Sequence, residues 1–167
     1  MRKSFLVLLL IGSLGVAQTA RHKAAAKGQS TKAGAHAATI TTPDSIKWGD
    51  APPVLNPGAQ LAVLAGNPNG AGLYVVRLKM PDGYKIMPHW HPTQENVTVV
   101  SGEFHVAMGD KFEEAGMQAL PAGSFAPVPP RAHHYAVAKG ETVVQVHGMG
   151  PFKLIYVNPS DDPSKKK

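Results

Sequence analysis

Gly83-Tyr-Lys-Ile-Met-Pro-His89-Trp-His91-Pro-Thr-Gln-Glu95-Asn-Val-Thr-Val-Val-Ser-Gly102 is the stretch on which the reading of this 167-residue chain turns. Alternate side chains of an extended strand share a face, so His89 and His91 point the same way, about 7 Å apart along the backbone. Two imidazoles so placed can converge on one ion. Pro88 and Pro92 bracket the pair and limit the backbone freedom lost in organising it. Glu95 begins the next apolar run, near enough to add a carboxylate oxygen. A fourth donor has to come from elsewhere, and His133-His134 is the obvious source. Imidazole and carboxylate together suit a first-row divalent metal, and the absence of sulfur ligands from cysteine argues against copper(I) and iron–sulfur clusters.

The spacing is not an accident of composition. With eight His in the chain, His-x-His-x3-Glu is expected about 0.01 times by chance, and the flanking glycines at 83 and 102 reduce this to about 0.0001. On either side of the motif, brief β-rich runs are cut by turn residues every eight to twelve positions, as in a sandwich or barrel. The runs are 60–65, 73–80, 84–91, 95–101, 103–108, 124–128, 133–138, 142–147 and 152–157, separated by turn formers such as Asn67-Pro68-Asn69-Gly70 and Pro121-Ala122-Gly123. Within 73–80, Tyr74, Val76 and Leu78 alternate with Val75, Arg77 and Lys79, the mark of a half-buried strand. No long 3.6-residue apolar period follows residue 43; Lys111 to Gly116 has room for one helical turn at most. An all-β jelly-roll barrel is the predicted fold class.

Composition agrees. Gly 17 and Pro 15 make up about 19% of the chain, which suits a turn-rich β protein better than a helical bundle. Zero Cys rules out a disulfide scaffold, a cysteine nucleophile and a lipidated cysteine. The net charge of +6 belongs to the ends, since residues 44–160 hold one more acid than base. Nucleic-acid binding is therefore not expected, because it needs cations gathered on a folded surface.

The ends have their own logic. Arg2 and Lys3 precede the apolar run Phe5 to Ile11, and small residues follow at Gly15 and Ala17, the layout of a secretory signal peptide over 1–17. The run is too short for stable membrane anchoring, which takes about 20 apolar residues. A periplasmic or secreted location is predicted. Residues 18–43, rich in Ala, Lys, Ser and Thr, are expected to form a flexible leader in which His22 and His36 have no ligand role. Residues 44–160 form the folded domain, and 161–167 a basic tail.

The motif from Gly83 to Gly102 resembles the first signature of the cupin superfamily at every position. A looser second signature follows in Gly123-Ser-Phe-Ala-Pro-Val-Pro129-Pro-Arg131-Ala-His133-His134, where the family pattern places its histidine at His134. Arg131 stands where the family usually has glycine, and no Asn lies four residues after His134. Neighbours on a strand point oppositely, so only one of His133 and His134 is expected to face inward. The resemblance covers about residues 45–160 and implies a single cupin-type double-stranded β-helix with one divalent transition metal held by His89, His91, Glu95 and His134. Iron, manganese, nickel and zinc are not distinguished. It also implies a homodimer.

Such a ligand set leaves two positions of an octahedral ion for water, dioxygen or a bidentate substrate. The function so implied is a metal-dependent enzyme on a small oxygenated molecule, with dioxygenase-type chemistry foremost and Glu95 as a candidate base. The alternative is a non-catalytic metal-dependent module that binds or senses a small ligand. Candidate pocket residues beyond the ligands are His133, His105, His147 with Gln145 on its face, and Trp90.

Overall fold

In a computed structural model, residues 39–166 are described. The expected signal peptide and most of the expected leader, with His22 and His36, lie outside them. Nine strands follow in order: β1 (Gly49–Asp50), β2 (Gln60–Ala65), β3 (Gly72–Met80), β4 (Lys85–Trp90), β5 (Glu95–Met108), β6 (Gln118–Pro121), β7 (Phe125–Val128), β8 (His134–Gly150) and β9 (Ile155–Tyr156). All pairings are antiparallel, along the order β1-β2-β3-β8-β4-β9, with β5 joining β8, β6 and β7. No helix among the described residues is long and apolar enough to cross a membrane.

Two long strands curl the sheet. The sequence predicts separate strands at 95–101 and 103–108, and again at 133–138 and 142–147; in the structure each pair is one strand, β5 and β8. Gly102 explains the first. Its φ is 75°, and a Cβ there would lie 2.5 Å from the Glu141 carbonyl oxygen and 2.8 Å from the Thr142 Cα. Only glycine supplies that backbone and that closeness, so the chain bends at Gly102 and continues pairing with β8 beyond it. The register slips between Val99 and Glu103, and the inward set changes from Glu95, Val97 and Val99 to Phe104. Val144 and Thr142 before the bend, and Ala138 and Ala136 after it, keep β8 facing the same interior.

The core then follows from strand alternation. On β3, Tyr74, Val76, Leu78 and Met80 are buried while Val75, Arg77 and Lys79 are partly exposed, as the sequence pattern predicts. These side chains meet Val97, Val99, Phe104, Val144 and Val146 in one apolar cluster. Burying such side chains is worth roughly 1.5–3 kcal/mol each.

Other differences are local. The expected strand 152–157 shortens to β9, and 111–116 holds bends and a turn in place of a helical turn. The strand β6 was not predicted, because Gln-Ala-Leu-Pro carries no β-branched residue and ends on proline. Part of the expected C-terminal tail is ordered into short 3-10 turns at Pro159–Asp161 and Pro163–Lys165, where the Asn158 and Asp162 side chains accept from the Ser160 and Ser164 N–H groups.

Candidate metal centre

The motif histidines arrive by way of a bulge. On β4 the register against β8 slips between Ile86 and His89, so the inward phase changes from Ile86 to His89 and His91. A bulge re-aims side chains in this way, and here Pro88 occupies it. His134 opens β8 directly opposite His89, and Glu95 opens β5. All four are buried: His89 and His91 are 3% exposed, His134 6% and Glu95 8%. The ring centroids of His89 and His134 are 4.1 Å apart, and those of His91 lie 5.0 Å and 5.3 Å from them. One nitrogen from each of the three rings falls within 4.8 Å of the others.

Hydrogen bonds fix which nitrogen is free. The Nδ1 of His89 donates to the Met87 carbonyl at 2.7 Å, that of His91 to the Lys153 carbonyl at 2.8 Å, and that of His134 to the Ala132 carbonyl at 3.0 Å. A carbonyl can only accept, so all three Nδ1 atoms carry the proton. The Nε2 atoms, then, are left to act as donors of lone pairs, and a metal-binding histidine is oriented in just this manner. Glu95 Oε2 lies 3.3 Å from the His134 Nε2 and 3.5 Å from that of His91. The His91 Nε2 is buried without any hydrogen-bond partner. An orphaned buried nitrogen is costly unless something binds it, and a cation among three imidazoles and a carboxylate does so. The residues present therefore fit one divalent ion.

Electrostatics point the same way. Burial, with the neighbouring imidazoles, pushes His89 down to about 3, and burial also pushes His91 down, so neither carries a proton at Nε2 near neutrality. Burial pushes the Glu95 carboxyl up, but the surrounding imidazoles outweigh it and bring it down to about 2. The carboxyl is therefore ionised near neutrality, the form in which it can bind a cation. Burial lowers His134 as well, yet its hydrogen bond to Glu95 and the charge of that carboxylate raise it above the ordinary value.

The second signature keeps its geometry despite Arg131. This residue has φ 63°, the left-handed backbone suited to the glycine it replaces, and its N–H donates to the His91 carbonyl at 2.8 Å. A non-glycine residue loses about 1–2 kcal/mol there, against about 0.5–1 kcal/mol for the greater freedom of glycine when unfolded. Arg131→Gly is therefore expected to raise the melting temperature by roughly 2–4 °C. Calorimetry checks it, and a lowered melting point would show that the arginine side chain stabilises the loop.

The remaining candidates are corrected by the strand faces. His133 points away from the cluster and its Nδ1 meets Asp110 at 2.6 Å, as expected for the neighbour of an inward His134. Gln145 and His147 lie on the outer face of β8, where Gln145 accepts from Arg77 Nε at 3.2 Å and His147 stacks on Phe125. The inward set there is Val144 and Val146. His105 pairs with Glu103 at 2.5 Å on the outer face of β5, beside inward Phe104. Trp90, the last residue of β4, lies between His89 and His91 and is only partly buried, on the face opposite theirs. None of these five lines the cavity of about 470 Å³ that opens from His89, Glu95 and His134. What sequence reasoning missed is the cavity wall, Gln118 on the unpredicted β6 included, and the three carbonyls that orient the rings.

The comparisons with known proteins agree with this architecture. The family described as "Domain of unknown function (DUF4437)" matches residues 22–155. Among solved structures, the polyketide cyclase RemF from Streptomyces resistomycificus is similar with a TM-score of 0.63 at 16% identity, covering 77% of this chain and 92% of its own. A putative acetylacetone dioxygenase from Methylibium petroleiphilum has a TM-score of 0.59 at 18% identity, covering 77% and 86%. An RmlC-like cupin from Shewanella frigidimarina has a TM-score of 0.52 at 23% identity, covering 68% and 91%. At these identities the likeness is one of fold, that of the cupin double-stranded β-helix. No curated protein matches the chain.

Proposed function

We propose a metal-dependent enzyme acting on a small oxygenated molecule, from the premise that this chain belongs to the cupin-like family of the domain of unknown function DUF4437. The observation that carries the proposal is the set of three imidazoles whose Nδ1 protons are bound to carbonyls and whose Nε2 atoms turn to one point beside Glu95. His89, His91, His134 and Glu95 would hold one divalent ion, which when bound supplies Lewis acidity and, in the case of iron, access to dioxygen chemistry. The chain's own part is to orient and to exclude water. Backbone carbonyls lock the rings, Phe152 covers the His91 ring at 5.1 Å, and the cavity walls are mostly apolar.

Dioxygenase-type chemistry is the subclass we favour, supported by the nitrogen and oxygen donor set and by the likeness in fold to the putative acetylacetone dioxygenase of Methylibium petroleiphilum. A second reading, a ligand-binding or sensing module, is favoured by one observation: apart from the cluster, no titratable side chain lines the cavity among the described residues. Oxygen uptake by iron-loaded protein, measured against a panel of catechols and 1,3-diketones, separates them. Turnover with at least one compound supports the enzyme; tight binding across several metals without oxygen uptake favours the module. Export to a periplasm or the exterior is part of the same proposal and rests on residues 1–17 alone.

A further inference from the structure

The cavity behind the cluster has a distinct chemical character. Its inner end is formed by His89, His134 and Glu95, and its walls by side chains such as Val97, Phe104, Val144 and Val146. Among the described residues no Lys, Arg or Asp lines it, and Glu95 is the one carboxylate there. At the outer end the one further polar side chain among the described residues is Gln118, which is exposed and by strand alternation shares the face of buried Leu120. The volume of 470 Å³ is that of an ordinary small-ligand site.

This excludes whole classes of ligand. A polyhydroxylated sugar would lose water from several hydroxyl groups and meet valine and phenylalanine in return, and each unpaired hydroxyl is costly. A phosphorylated or multiply charged ligand would find no cation on the walls to receive it. An apolar body, by contrast, gains from every wall it covers.

We infer that the ligand is a small molecule with an apolar, uncharged body, roughly a substituted ring or short alkyl chain, and paired oxygen atoms at one end only. The oxygen end sits at the histidine–glutamate cluster, the body lies along Val97, Phe104, Val144 and Val146, and Gln118 offers one neutral hydrogen bond near the mouth. The inference rests on the metal reading above and adds the class of molecule to it.

Three probes with one head group test it. Full-length protein is loaded with zinc, its metal content is measured, and acetohydroxamate, benzohydroxamate and gluconohydroxamate are titrated calorimetrically. The head is constant, so differences report the body alone. Benzohydroxamate is expected to bind at least about tenfold more tightly than acetohydroxamate, and gluconohydroxamate no more tightly than acetohydroxamate. Val97→Thr, which places a hydroxyl in the wall with little change of shape, is expected to narrow the benzohydroxamate advantage. Equal affinities for the aceto and benzo probes, or a preference for the gluco probe, overturn the inference and leave the metal reading standing. Zinc bound without any hydroxamate binding overturns it too, because the head then cannot reach the cluster. Failure to retain zinc overturns the metal reading itself.

Discussion

His91→Ala is expected to weaken divalent-metal binding by at least about a hundredfold, since loss even of a partner that only orients a ligand costs 10–100-fold. The ring removed is the one whose Nε2 is buried without a partner, and its Nδ1 is already committed to Lys153. Two imidazoles and Glu95 remain, and the ion loses the one donor whose lone pair has no other partner. Competitive titration with a chromophoric chelator measures the effect, and unchanged affinity in the variant would remove His91 from the ligand set. The wild-type titration should also depend on pH in a definite sense. His134 is raised above its ordinary value by Glu95, so its Nε2 proton competes with the ion. Metal affinity should rise with pH through the neutral range and weaken as pH falls.

Gly102→Ala is expected to cost at least about 3 kcal/mol of stability. The added methyl would stand 2.5 Å from a backbone oxygen and 2.8 Å from a backbone carbon, on a residue with φ 75°, and neither neighbour can move without opening the β5–β8 pairing. Gly123→Ala is the control. It has a positive φ of 90° but open space around its Cβ, so it isolates the conformational part, about 1–2 kcal/mol. For a domain of this size the two variants should lower the melting temperature by roughly 10 °C and roughly 5 °C. Similar losses in both would mean that the close approach at Gly102 is not what bends the strand.

The core of the site was legible because its signal is local. His89, His91 and Glu95 lie within seven residues, and a period of two suffices to put both imidazoles on one face. His134 could be selected over His133 because adjacent residues on a strand oppose one another, and the structure turns His133 to Asp110. The alternation on β3 was equally plain. What remained hidden depends on contacts distant in sequence. The bend at Gly102 reads as a strand break, since nothing local says that Glu141 and Thr142 approach it. Gln145 and His147 are pocket candidates from residue type alone, whereas their outward phase is set by Val144 and Val146 seeking the core. The bulge at Pro88, on which the inward aim of both histidines depends, appears only when β4 is paired with β8. The carbonyls of Met87, Ala132 and Lys153 carry no side-chain signature at all.

The account stands on three imidazole nitrogens and a carboxylate oxygen enclosing one cation. X-ray absorption spectroscopy on the purified full-length protein, combined with elemental analysis, tests it most directly. The expected result is about one divalent ion per chain, with three histidine nitrogens and one carboxylate oxygen in its coordination shell, the nitrogens at roughly 2.0–2.1 Å if the ion is zinc. Protein that retains no ion after loading, or an ion whose shell lacks imidazole, would contradict it.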